Sequence, residues 1–131
     1  ANHEMADRVL ADVPCTGTGA WRRNLDAKWR FRPDDLEHLI ETQRLIMVQA
    51  ASLVAPKGWL VYATCSLLRE ENEEQIDWFM ATVPGFRLLP LAEVWTETVG
   101  GPPPNEGDFL RLSPASTGTD GFFCAVLGKS D

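Results

Sequence analysis

The chain has 131 residues and a formal net charge of −7, with 44% hydrophobic and 24% charged residues. This length suits a single domain, and the composition is ordinary for a globular protein. No apolar run approaches the roughly 18 residues of a membrane span, and no charged-then-apolar leader opens the chain, so we expect no membrane partner. A net negative charge is also the wrong sign for a protein that binds nucleic acid by its overall charge.

The cysteine and histidine content narrows the chemistry further. Three cysteines without a C-x-x-C pair suit a reducing cytoplasm better than a disulfide framework. With only His3 and His38 beside them, we expect no metal site. The cysteines themselves are therefore the first candidates for a functional role.

The first predicted strand covers residues 8 to 13 and leads into a turn of small and helix-breaking residues, Pro14 to Gly19. Cys15 thus follows the carboxyl end of a strand. The loop continues to Arg32, and a loop of this length is uncommon in a compact domain without a function.

This loop concentrates positive charge in an otherwise acidic chain. It holds five of the twelve basic residues, interleaved with Trp21, Trp29 and Phe31; the basic residues are Arg22, Arg23, Lys28, Arg30 and Arg32. Cations beside aromatic rings favour a single-stranded or unstacked nucleic acid. The alternative is a solvated loop whose aromatic side chains pack into the core.

A long helix is predicted from Pro33 to about Ala55, with an apolar stripe that covers a sheet. A buried strand from 59 to 64 follows, so Cys65 also stands at a strand's carboxyl end. A strand-helix-strand unit has a right-handed crossover and parallel strands. Both thiols should therefore emerge at one edge of the sheet, where open α/β sheets bind their ligands.

The remaining elements are weaker. A helix is predicted from about Glu70 to Thr82, with its acids as capping and solvating charge. A strand at 86 to 91 precedes a weakly patterned stretch. Segments 109 to 112 and 121 to 127 then read as a terminal strand pair, and Cys124 within the second is interpreted as a core residue.

Four motifs, in this order, resemble one known family. They are Asp12-Val13-Pro14-Cys15-Thr16-Gly17-Thr18-Gly19, the basic stretch Arg22 to Arg30, Ala63-Thr64-Cys65-Ser66 with Glu71-Asn72-Glu73, and Thr119-Asp120-Gly121-Phe122-Phe123. Together they are similar to the Sun family of RNA 5-methylcytosine methyltransferases. Val13 and Thr16 depart mildly, because the family usually has Ala and Ser there.

The resemblance implies an α/β fold: the C-terminal half of a Rossmann-like S-adenosylmethionine-dependent methyltransferase domain, with parallel strands and a terminal antiparallel strand pair. Residues 1–131 would be the C-terminal part of one catalytic domain. The family's glycine-rich cofactor loop is expected before residue 1. We therefore expect the fragment alone to be inactive, and its exposed sheet edge to allow a homodimer.

The resemblance also assigns roles. Cys65 would be the nucleophile that adds to carbon 6 of cytosine, and Cys15 would assist release of the methylated RNA. Asp12 would lie between the methionine end of S-adenosylmethionine and the amino edge of the cytosine. Arg22, Arg23, Lys28 and Arg30 would face the RNA, for which small-subunit ribosomal RNA is favoured.

Three other classes remain open at this point. A truncated, non-catalytic RNA-binding fragment would keep the same residues without activity. A thiol redox protein would pair Cys15 with Cys65 in a disulfide. A cysteine hydrolase would need His38 within hydrogen-bonding distance of one of these thiols.

Overall fold

The computed structural model describes residues 5–15, 33–66, 68–100, 107–112 and 122–130. In chain order the elements are β1 (Ala6–Asp12), α1 (Pro33–Ala51), β2 (Val54–Thr64), a 3-10 turn (Arg69–Glu71), α2 (Glu73–Thr82), β3 (Phe86–Leu89), α3 (Leu91–Thr98), β4 (Leu110–Leu112) and β5 (Phe122–Lys129). Among these, no helix is long and apolar enough to cross a membrane.

The strands form one mixed sheet in the order β1-β2-β5-β3, and β4 also pairs with β5. β1 and β2 are parallel, as the strand-helix-strand pattern predicts, with Asp12 opposite Ala63. β5 is antiparallel to β2, β3 and β4. The terminal strand pair is therefore confirmed, and its second strand also lies in the middle of the described sheet.

One face of the sheet carries the core. Alternate residues of β2 and β5 point toward α1 and α2, because successive side chains of a strand alternate between its faces. The largest fully buried apolar or aromatic side chains are Tyr62, Phe79, Phe123, Met47, Leu60, Ile76 and Leu127. Burial of each large apolar side chain contributes about 1.5–3 kcal/mol, so this layer fixes the position of the strand ends.

α1 ends at Ala51, earlier than the sequence predicts. The Leu53 amide donates to Ala50 O at 3.0 Å, and Leu53 O accepts from the Ala6 amide at 2.8 Å. Pairing with β1 thus ends the helix and starts β2 at Val54. The apolar pattern alone does not show this, since Leu53 and Val54 fit the helical stripe equally well.

Pro56, Lys57 and Gly58 form a bulge inside β2. The register shifts between Ala6 and Arg8, whose partners are Val54 and Trp59. Lys57 has a φ of 66°, in the left-handed region. A Cβ on Gly58 would lie 2.8 Å from Ala55 O and 2.9 Å from Asp7 O, so only glycine fits where β1 approaches.

α3 lies in the stretch that the sequence left without a clear pattern. It begins after Pro90, and the Val94 amide donates to Pro90 O at 3.2 Å. Leu91, Val94 and Trp95 line an apolar cavity of about 440 Å³ against the face of the sheet away from α1 and α2. This short amphipathic helix is therefore an element that the sequence analysis missed.

Candidate active site

The ends of β1 and β2 lie side by side. The Val13 amide donates to Ala63 O at 3.2 Å, which continues the parallel ladder one step beyond Asp12. Cys65 follows β2 immediately and is exposed, whereas Cys15 follows β1 and is half-buried. The predicted arrangement of two thiol-bearing loops at one sheet edge is present.

Asp12 lies on the sheet face away from α1 and α2. Its neighbours Ala11 and Val13 are buried, whereas Asp12 itself is exposed. Its register partner Ala63 lies two residues before Cys65. An exposed carboxylate thus stands on the strand next to the one that carries the exposed thiol.

Both neighbours of Cys65 are held in the protein interior. Thr64 is 0% exposed and Ser66 is 1% exposed. The Thr64 hydroxyl donates to Asn72 Oδ1 at 2.6 Å and accepts from the Ser66 amide at 3.2 Å. Asn72 Nδ2 donates to Ser66 O at 2.8 Å. The backbone on each side of Cys65 is therefore anchored while its thiol faces solvent.

Glu71 forms a second attachment to the same loop. The Ser66 hydroxyl donates to Glu71 Oε1, and the Leu68 amide donates to Ser66 Oγ at 3.0 Å. Glu71 is 0% exposed. The interpretation of the acids as solvating charge is therefore wrong for Glu71, which faces inward because its short 3-10 turn folds back over β2.

The Cys15 loop is attached through α1. Gln43, fully buried on that helix, donates from Nε2 to Pro14 O at 2.9 Å and to Glu71 Oε2 at 2.8 Å. Gln75 of α2 supports it by donating to Gln43 Oε1 at 3.0 Å. Pro14 directly precedes Cys15, so Gln43 fixes the backbone at the start of this loop.

Tyr62 lies beneath both loops. Its hydroxyl donates to Glu71 O at 2.6 Å. Burial, and to a lesser extent the negative charges of Glu71 and Cys15, raise the pKa of the Tyr62 phenol far above its ordinary value. The phenol therefore remains a hydrogen-bond donor.

This polar cluster is complete within the described residues, because every buried side-chain nitrogen and oxygen there has a hydrogen-bond partner. Buried polar groups that are fully paired rigidify their surroundings. One feature of the sequence indicates this buried polar cluster. Gln43 interrupts the apolar stripe of α1 between Ile40 and Met47, which is where a polar side chain must face the core.

The remaining predicted residues divide into two groups. Arg22, Arg23, Lys28 and Arg30 lie outside the described residues. His38 is exposed on α1. Cys124 is half-buried and lines the apolar cavity under α3 rather than the main core, and burial raises the pKa of its thiol to about 11.

α2 begins at Glu73, and a separate 3-10 turn lies between it and Cys65. The helix predicted from about Glu70 to Thr82 therefore ends where expected but begins three residues later. Since the field of a helix dipole falls off within about one turn, hydrogen bonds to the neighbours of Cys65 are the better-supported means of presenting this thiol.

The fold and its likeness to solved structures define the class as Rossmann-like, S-adenosylmethionine-dependent methyltransferases. Residues 1–128 match the family model described as 16S rRNA methyltransferase RsmB/F. The chain belongs to this family.

Relatives with curated names agree. The chain is 40% identical over 126 residues to ribosomal RNA small subunit methyltransferase B of Vibrio cholerae, covering 96% of this chain and 26% of the relative. It is 37% identical over 128 residues to ribosomal RNA small subunit methyltransferase F of Escherichia coli, covering 97% and 26%. The chain thus spans about a quarter of the length of these relatives.

Solved structures give the same result. NSun6 from Pyrococcus horikoshii with SFG matches with a TM-score of 0.74 and 29% identity, covering 98% of this chain and 31% of that one. A methyltransferase homolog protein from Pyrococcus horikoshii matches with a TM-score of 0.68 and 30% identity, covering 96% and 40%.

Proposed function

We propose that the chain is part of an enzyme that methylates carbon 5 of cytosine in small-subunit ribosomal RNA through a covalent adduct with Cys65. The observation that carries this proposal is the placement of Cys65. It is an exposed thiol at the end of β2, between two anchored neighbours and beside the strand that bears Asp12. The names of the relatives support ribosomal RNA as the substrate.

Carbon 5 of cytosine is a weak nucleophile, so it requires activation. Addition of the Cys65 thiolate forms a sulfur–carbon 6 bond and moves the electron pair of the 5,6 double bond toward carbon 5. S-adenosylmethionine, when bound, supplies the methyl group that this electron pair takes up. A base then removes the proton from carbon 5, the double bond re-forms, and the bond to sulfur breaks to return the thiolate.

Among the described residues, Asp12 fits both S-adenosylmethionine and the target cytosine. Asp12 is an exposed acid on the sheet face away from α1 and α2, and its carboxylate can accept hydrogen bonds from amino groups. Both the methionine end of S-adenosylmethionine and the amino edge of cytosine carry such groups. The solved NSun6 structure with SFG supports a cofactor of this class.

Cys15 is assigned the release step. It follows β1, the strand that pairs with the one ending at Cys65, and it is half-buried. In this proposal it reaches the same cytosine from the neighbouring strand. In this assignment Cys15 acts after methyl transfer and Cys65 acts before it. Substitution of Cys65 and substitution of Cys15 should therefore give different products.

The test uses the complete protein with S-adenosylmethionine and labelled RNA on a denaturing gel. Cys65→Ala should abolish methylation and form no adduct, because the nucleophile is gone. Cys15→Ala should accumulate protein covalently bound to RNA, because addition proceeds and release fails. An adduct from Cys65→Ala and none from Cys15→Ala would reverse the assignment.

A non-catalytic RNA-binding role predicts a different result. Both cysteine variants would then bind RNA as the unchanged protein does, and neither would form an adduct. A redox role predicts instead a disulfide between Cys15 and Cys65 after mild oxidation, detected as the loss of two titratable thiols.

A further inference from the structure

Glu71 and Gln43 form a two-residue bridge between the loops that carry the two thiols. One carboxylate oxygen of Glu71 accepts from the Ser66 hydroxyl, next to Cys65. The other accepts from Gln43 Nε2, and the same amide donates to Pro14 O, next to Cys15. The bridge is buried, since Glu71 and Gln43 are both fully enclosed.

We infer that Glu71 and Gln43 are positioning residues that set the separation of Cys15 and Cys65 and couple the two loops. In this role they act through the two loops and not on the cytosine itself. This inference rests on the proposed function, in which both thiols act on one cytosine ring in succession, so their separation must suit that ring. Small displacements of reacting groups lower rates steeply, and supporting hydrogen bonds limit such displacements.

The bridge requires a carboxylate at one end and an amide at the other. Glu71 has only acceptors, which suits donors from both sides. Gln43 Nε2 has two hydrogens, and it uses them on Glu71 and on Pro14 O. Gln43 Oε1 accepts from Gln75, which orients the amide so that its nitrogen faces the bridge.

Asn72 provides a matched control. It is buried beside Glu71, and among the described residues its side chain bonds only to Thr64 and Ser66, on either side of Cys65. A general loosening of this sheet edge would affect both thiols in an Asn72 variant and in a Glu71 variant alike. Coupling through the bridge would affect both thiols only in the Glu71 variant.

The measurement is the alkylation rate of each cysteine in the complete protein by iodoacetamide, without RNA or cofactor, read by peptide mass spectrometry. Glu71→Gln places an amide donor against Gln43 or Ser66 and should raise the rates at Cys15 and Cys65 by about tenfold. Asn72→Ala should raise the rate at Cys65 and leave Cys15 within about twofold, since one hydrogen bond contributes only a modest free energy.

A swapped pair separates positioning from simple destabilisation. In the double variant Gln43→Glu with Glu71→Gln, the hydrogen bond between positions 43 and 71 re-forms with its donor reversed, and position 71 can still accept from Ser66. A carboxylate at position 43 cannot donate to Pro14 O. The Cys65 rate should therefore return toward that of the unchanged protein, while the Cys15 rate stays raised.

Ser66→Ala gives a second route if Glu71→Gln does not fold. It removes one hydroxyl from the Cys65 loop and, through Glu71 and Gln43, should raise the Cys15 rate by about threefold or more. Overturning results are an unchanged Cys15 rate in both Glu71→Gln and Ser66→Ala, or equal changes at both thiols in Asn72→Ala. The alkylation experiment contains no RNA, so its result would stand even if the complete protein did not methylate cytosine. Conversely, unchanged alkylation rates would not affect the assignment of Cys65 as the nucleophile.

Discussion

The thiol of Cys124 should be far less reactive than an unperturbed cysteine thiol. Burial on the apolar face under α3 raises its pKa from 9.0 to about 11. At pH 8 the thiolate fraction is then about one in a thousand rather than about one in ten. Because the thiolate is the nucleophile, alkylation by iodoacetamide should be about a hundredfold slower than for an unperturbed cysteine.

The assay compares Cys124 with itself in denaturant, by peptide mass spectrometry after timed alkylation. Shielding by the cavity also slows the reaction, so the pH profile decides the cause. The native rate should keep rising about tenfold per pH unit until about pH 11, the folded-state pKa. A plateau near pH 9, or a native rate within about threefold of the denatured one, would refute the reasoning.

The same shift makes a prediction for stability. A pKa raised in the folded state means that folding favours the neutral thiol, so its contribution is complete below pH 9 and is lost as the pH rises through about 11. Cys124→Ala should remove this part of the alkaline destabilisation in urea titrations. If the free energy of unfolding of Cys124→Ala depends on pH as that of the unchanged protein does, other groups cause the alkaline loss of stability.

Three further predictions concern the loops, the cluster and the isolated chain. Charge reversal at Arg22, Arg23 or Arg30 should weaken RNA binding and flatten its salt dependence by about one unit of slope per lost phosphate contact; unchanged affinity and slope would favour a solvated loop. Tyr62→Phe deletes the hydroxyl that donates to Glu71 O, so it should lower the free energy of unfolding by about 1–2 kcal/mol. A loss below about 0.5 kcal/mol in urea titrations would show that this hydrogen bond contributes little. The 131-residue chain by itself should bind S-adenosylmethionine weakly and self-associate through the edge of β1; micromolar binding in calorimetry, with a monomer in light scattering, would contradict both expectations.

The position of the two thiols could be predicted because it depends on rules that act over short distances. Residues 8 to 13 and 59 to 64 are short apolar runs bounded by turn residues, and a helix between them requires parallel pairing. That combination places Cys15 and Cys65 at one edge without any knowledge of the side-chain contacts. The structure confirms the pairing through Asp12 and Ala63.

The polar cluster could be predicted only in part. Gln43 gave a signal because it occupies a core position in the stripe of α1. Glu71 gave none, since four acids follow Arg69 closely and the sequence does not show which one the 3-10 turn directs inward. That choice depends on Tyr62 and Ser66, which meet Glu71 only after β2 is in place.

The errors at element ends have a similar cause. Helical periodicity continues through Leu53 and Val54. However, Leu53 O accepts a hydrogen bond from the Ala6 amide, and this pairing makes the segment part of the sheet. α3 was missed because its apolar residues cover an outer face of the sheet, and a helix of eight residues carries few repeats of its pattern.

The central claim is that Cys65 attacks the cytosine, and trapping with 5-fluorocytosine in the RNA tests it most directly. Fluorine at carbon 5 cannot leave as a proton does, so an adduct formed by the complete protein with S-adenosylmethionine should persist. Digestion and mass spectrometry should then find the RNA attached to the peptide that contains Cys65. Attachment to the Cys15 peptide, or no adduct at all, would contradict the proposed mechanism.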